Sequence, residues 1–180
     1  MTAYVAFLRA VNVGGKNKVP MAPLRDALTA AGLEEVVTVL QSGNVVFGSR
    51  SSAAASAKVV AATIEEAFGL RIEVVIRTGA ELTAVAAANP FLDDKASRDA
   101  KTLHVAFLSA RPKAASVKKL DADRSPPDAF AVHGREVYLS YPNGSGRTRL
   151  TLDYLEKTLG VTGTARNWRT VQRMAELVAG

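Results

Sequence analysis

The chain contains no cysteine. That absence excludes disulfides, thiolate zinc sites and a cysteine nucleophile together. Imidazoles are almost as scarce. His104, set among Leu103, Val105 and Phe107, reads as a strand residue, and His133, just before Gly134, as a turn residue. Aromatic residues make up only 6% of the chain, which weakens base stacking as a main binding mode. Long apolar runs are missing too. The alanine-rich window from Ala53 to Ala67 is broken by Ser56, Lys58, Thr63, Glu65 and Glu66, well short of the ~18 apolar residues of a membrane span. Residues Met1 to Leu8 carry no basic stretch and read directly as a strand, so no signal peptide and a soluble, cytoplasmic protein are expected.

What is present suffices for a packed core. The 180 residues are 48% hydrophobic and 22% charged, within the range of one large or two small globular domains. The net charge of +6 is uneven: residues 1–90 hold 8 Lys or Arg against 7 Asp or Glu, and residues 91–180 hold 15 against 10. A basic second half fits a polyanionic partner, and it equally fits ordinary solvated surface.

Strand patterns occur at Thr2 to Leu8, Val36 to Gln41, Val45 to Gly48 and Arg71 to Arg77. Helical patterns lie between them, from Met21 to Ala31, closed by Gly32, and from Ser52 to Phe68, closed by Gly69. The order βαββαβ is the split βαβ, or ferredoxin-like, arrangement. A third helix, Ala80 to Ala88, precedes a polar stretch that reads as a linker. The pattern then restarts. Tyr4 to Ala10 and His104 to Ala110 agree at five of seven positions, and a helix (Lys113 to Leu120), two strands (Ala129 to His133, Glu136 to Tyr141), a helix (Arg149 to Leu159), a strand near Val161 to Ala165 and a last helix (Trp168 to Ala179) follow. The expected fold is therefore α+β, with two ferredoxin-like halves in tandem at 1–90 and 102–180, joined by a linker at 91–101.

Three polar constellations stand out. In the first, the strand ending at Leu8 runs into Asn12, Val13, Gly14, Gly15, Lys16, Asn17, Lys18, where glycines that free backbone N–H groups lie beside lysines that supply charge. Separate from these three, Gln41, Ser42, Gly43, Asn44 joins two strands as a tight turn, where the Gln41 amide could bind a ligand or bond the turn backbone. The second is Tyr141 to Arg149. Its Gly146, Arg147, Thr148 is similar to the end of a Walker A loop, although Tyr141 stands where the first glycine belongs. What remains is free N–H groups at an expected helix start, flanked by Arg147 and Arg149. The third is Arg166, Asn167, Trp168, Arg169, with Asn167 a natural N-cap and two arginines beside it.

Taken together, FLRAVNVGGKNKVPM, LQSGNVVF, the pair NPF at Asn89 to Phe91, YPNGSGRTRLT and TARNWRTV resemble the bacterial family called domain of unknown function 1697. The resemblance runs through essentially the whole chain. It implies a two-part α+β fold and a cytoplasmic bacterial protein, and it implies no activity. One departure is Ala10, which stands where members often carry glycine.

The functional expectation is an anionic ligand, bearing phosphate or carboxylate, held by Asn12, Gly14, Gly15, Lys16, Asn17, Lys18, Gln41, Ser42 and Asn44, and by Gly146, Arg147, Arg149, Arg166, Asn167 and Arg169. Nucleic-acid binding is one alternative, with Tyr4 and Tyr138 as strand aromatics but no RNP1-like signature. An oligomerising module that pairs sheet edges, such as a homodimer, is the other. Whether the protein is an enzyme stays open: Asp153, Glu73 and Tyr141 are the available acids or bases, and adjacent Asp93 and Asp94 fall in the expected linker. No metal site, cofactor or membrane partner is indicated.

Overall fold

The structure is a computed structural model that describes residues 1–92 and 101–179. In chain order its elements are β1 (Thr2–Leu8), α1 (Met21–Ala30), β2 (Glu34–Val39), β3 (Asn44–Ser49), α2 (Ala53–Phe68), β4 (Val74–Thr78), α3 (Gly79–Ala87), β5 (Leu103–Leu108), α4 (Ala114–Val117), β6 (Ala129–His133), β7 (Glu136–Ser140), α5 (Leu152–Leu159), β8 (Gly163–Asn167) and α6 (Trp168–Ala179). They divide into two compact units, Met1–Ala84 with Met174–Gly180, and Val85–Arg173. The expected linker lies mostly outside the described residues, as do Asp93 and Asp94.

Each unit holds one four-stranded antiparallel sheet, in the orders β2-β3-β1-β4 and β6-β7-β5-β8. Strands β1 and β2 both run antiparallel to β3, which lies between them, so α1 makes the split βαβ crossover of a ferredoxin-like half. The second unit repeats this connection with β5, α4, β6 and β7.

The central strands read as apolar runs because both of their faces are buried. On one face of β1, Tyr4, Ala6 and Leu8 pack with Leu24 and Leu28 of α1 and Val60 and Ile64 of α2. On the other, Val5 and Phe7 are 0% exposed as well. The second unit does the same with Ala106 and Leu108 against Leu155 and Leu159, while Val105 and Phe107 are buried behind them. Tyr4 and Tyr138 therefore do not stand on an open sheet face. The Tyr4 hydroxyl donates to the Ser51 carbonyl at 2.9 Å and the Tyr138 hydroxyl to the Val85 carbonyl at 2.8 Å, and burial with Glu136 nearby pushes Tyr138 up to about 12.

The two halves agree well beyond the seven-residue echo. Leu8 N–H donates to Gly43 O and Leu108 N–H to Arg135 O, both at 2.8 Å, while Arg9 N–H meets Glu73 O and Ser109 N–H meets Thr162 O. The second long helix of the first half, α2, is capped by Ser52, and its counterpart α5 by Thr151. Each ends on a left-handed glycine, Gly69 or Gly160, whose N–H returns to Glu65 O or Glu156 O. A buried arginine on the last strand, Arg77 or Arg166, faces Val5 or Val105 in register.

Several expected boundaries shift. The helix expected from Lys113 to Leu120 shrinks to the single turn α4, because Lys119 N–H and Leu120 N–H bond three residues back, to Ser116 O and Val117 O. The helix expected from Arg149 starts at Leu152, after its Thr151 cap. Strand β4 starts at Val74, leaving Arg71 in a loop where its guanidinium donates to Glu65 at 2.8 Å. In β2, Glu35 sits at φ 51 within a bulge between Glu34 and Val37. If the halves share one capping chemistry, Ser52→Ala and Thr151→Ala each lose about 1 kcal/mol of stability, measured by urea unfolding.

Candidate functional site

At the end of the first sheet where β1 stops, the connection to α1 folds into a small hairpin. Gly14 and Gly15 form its tip at φ 57 and 74, and Lys16 N–H donates to Val13 O at 3.0 Å. At its base Asn12 N–H donates to Asn17 O, and Asn17 Nδ2 donates to Ala10 O, both at 3.0 Å. The Asn12 side chain then ties this hairpin to the β2–β3 turn. Its Nδ2 donates to Val19 O at 2.9 Å and to Gln41 O at 2.7 Å, and its Oδ1 accepts from Val19 N–H at 2.9 Å.

The turn is fitted as tightly. Gly43, at φ 81, lies so close to β1 that an added Cβ would stand 2.5 Å from Val11 Cγ2 and 2.9 Å from Leu8 Cβ. Asn44 is fully buried, its Nδ2 donating to Val39 O and to Ser42 Oγ. Four of the five non-glycine residues with positive φ, namely Ala10, Asn12, Asn17 and Leu40, belong to this loop pair. For Ala10 and Leu40 such a backbone costs ~1 kcal/mol each. The structure thus brings two candidate segments together, the loop from Asn12 to Lys18 and the turn from Gln41 to Asn44, and sorts their residues by role. Asn12, Asn17 and Asn44 hold the backbone, while Gly14, Gly15, Lys16, Lys18, Gln41 and Ser42 are exposed.

The other candidates lie in the second unit. In the loop from Tyr141 to Thr151, Arg147 is exposed and has no hydrogen-bond or ion-pair partner among the described residues. Arg149 is exposed but its N–H donates to Ser125 Oγ at 3.0 Å. Thr148 Oγ1 donates to Asp128, and Tyr141 donates to Leu150 O at 2.9 Å. Because α5 starts at Leu152, Gly146 and Arg147 do not form the head of a helix, contrary to expectation. Tyr141 is unsuited to acid–base work near neutrality, since burial, with Asp128 nearby, pushes its hydroxyl far above the ordinary tyrosine range.

Arg166 is buried, donating to Thr164 Oγ1 at 2.6 Å and Ala165 O at 2.9 Å, and burial lowers its pKa to about 10. Asn167 caps α6, accepting from Thr170 N–H at 2.9 Å, and Arg169 is exposed. Asp153 pairs with Lys157 on the surface of α5. Among the described residues no group of three or more His, Asp or Glu is placed to hold a metal ion, and no helix is long and apolar enough to cross a membrane.

The family model described as a protein of unknown function, DUF1697, matches residues 1–138. The chain belongs to the DUF1697 family. The matched part of this DUF1697 chain contains the whole Asn12 loop pair, whereas the loop from Tyr141 to Thr151 lies beyond it. Among solved structures it is similar to a conserved bacterial protein from Streptococcus pneumoniae, at 23% identity and a TM-score of 0.75, over 100% of this chain and 99% of that one. At that identity the likeness establishes the fold alone. No curated protein matches this DUF1697 chain.

Two measurements test these assignments. Gly43→Ala adds a methyl into Val11 at a left-handed position and costs about 2–4 kcal/mol, whereas Ala10→Gly relieves strain at φ 55 and is neutral or stabilising in the same urea series. The His104 ring meets Tyr141 edge-on, its Nδ1 buried without a partner, and burial lowers its pKa below the usual 6.5. The unfolded chain therefore takes up a proton that the folded chain refuses, so stability falls as pH drops below about 6.5. His104→Gln should show a shallower fall over that window.

Proposed function

We propose that this DUF1697 chain binds a phosphate- or carboxylate-bearing ligand at the paired loops 9–19 and 40–44. One observation carries the reading: the Asn12 side chain clamps two surface loops into strained left-handed backbone, although the hairpin tip buries nothing. Left-handed strain gathered in paired surface loops accompanies binding sites. The tip fits an anion. Gly14 and Gly15 make no hydrogen bond with other described residues through their amides, and no atom lies within 4 Å of where either would carry a Cβ. Lys16 and Lys18 flank them, exposed and without a partner among the described residues.

The lysines would supply charge and the glycine amides direction, with the clamp keeping both in place before the ligand arrives. This is binding chemistry, and the described residues of loops 9–19 and 40–44 include no histidine or carboxylate. Titration with inorganic phosphate, with citrate and with a single-stranded oligonucleotide, followed by amide NMR, tests the reading. Shifts are expected at Gly14, Gly15 and Lys16, and Lys16→Ala or Lys18→Ala weakens binding about threefold to tenfold. Each variant should keep its stability to within ~0.5 kcal/mol. A loss of stability in either would make that lysine structural, and unmoved loop amides with all three probes would remove the site.

A further inference from the structure

We infer that the outer edge of β6, with the groove beside α4, is a docking site for an extended acidic segment of another protein. The two halves carry the same edge strand with opposite treatments. Edge strand β2 is blunted against pairing: it begins with Glu34 and Glu35 and is broken by the bulge at Glu35. Edge strand β6, Ala129–His133, has no proline, lysine or carboxylate, and it holds an unbroken register with β7 from Ala129↔Ser140 to His133↔Glu136. Among the described residues no strand pairs with its other side.

The two-residue turn at Gly134 and Arg135 makes His133 and Glu136 a doubly bonded pair, so backbone alternation aims the N–H and C=O of Phe130 and Val132 outward. The neighbouring helix is also curtailed. Where the first half has the ten-residue α1, the second has the four-residue α4. Beside it lies a groove of about 310 Å³ with Pro112, Val117 and Val132 as apolar lining and Arg111 and Lys118 as cations. Neither cation has a hydrogen-bond or ion-pair partner among the described residues. The nearby Asp121 is turned onto its own backbone, its Oδ1 accepting from Asp123 N–H.

An unblunted edge supplies main-chain hydrogen bonds, the groove takes an aliphatic side chain, and the two cations select carboxylates on the incoming strand. A second copy of this chain fits poorly, because its own β6 carries no carboxylate to meet Arg111 and Lys118.

The test uses the full chain and a fluorescein-labelled peptide of alternating glutamate and valine, with its lysine–valine counterpart as control. Anisotropy should rise with the acidic peptide only, and amide exchange should slow at Phe130 and Val132. The double variant Arg111→Glu, Lys118→Glu should weaken binding about tenfold with an unchanged unfolding midpoint, while Lys58→Glu, at an exposed position of α2, should leave it unaltered. Equal binding of the lysine peptide, unprotected β6 amides, or a dimer held through β6 on size exclusion would each overturn the inference.

Discussion

Burial of both faces of the central strand is the constraint from which the rest of each half follows. In β1 from Tyr4 to Leu8 and in β5 from Leu103 to Leu108 every side chain is buried on one face or the other, apart from the half-buried His104. A ferredoxin-like sheet with an open face offers a platform for ligands, and here no such face exists on the central strands. Exposed polar groups are left to the connections at the sheet's ends and the strands at its rims. Several cations whose side chains have no partner among the described residues lie there, such as Lys16 and Lys18 on one connection, Arg147 on another, and Arg111 and Lys118 beside an edge.

Asn12 shows how a single amide converts a long connection into a fixed one. Its three hydrogen bonds satisfy Val19 at both backbone groups and reach Gln41 across the turn. Gly43 complements it from below, since only a residue without a Cβ lets the turn lie against Val11 and Leu8. The loop pair is thus held by two residues of unlike kind, one adding polar contacts and one removing steric bulk.

The repeated architecture was legible in the sequence because it rests on periodicity and on stop signals. Gly32, Gly69 and the run from Trp168 marked element ends that the structure keeps, and Ser-Gly-Asn marked the turn. Ala10 and Leu40 were not legible as left-handed residues, since tertiary packing rather than local preference forces them there. The single-turn α4 was hidden for a related reason, as its alanine-rich sequence favours helix while the following residues tighten to three-residue turns. Arg166 misled because a strand arginine beside a helix cap looks solvent-facing in sequence, and only the register against Val105 shows it turned inward. Of the loop pair, the polar composition was legible, and the division between side chains that hold the backbone and side chains left exposed was not.

The halves differ most in three connections. Between first strand and first helix the first half spends 12 residues and the second five, while between first helix and second strand, and again between third strand and second helix, the numbers are three and 11. Because closing a flexible loop costs free energy only as the logarithm of its length, lengthening by this ratio costs ~1 kcal/mol. A chain that carries its scaffold twice can therefore let one copy elaborate an end that the other keeps short, and natural variation within this architecture should concentrate in those three connections while the strands between them change slowly.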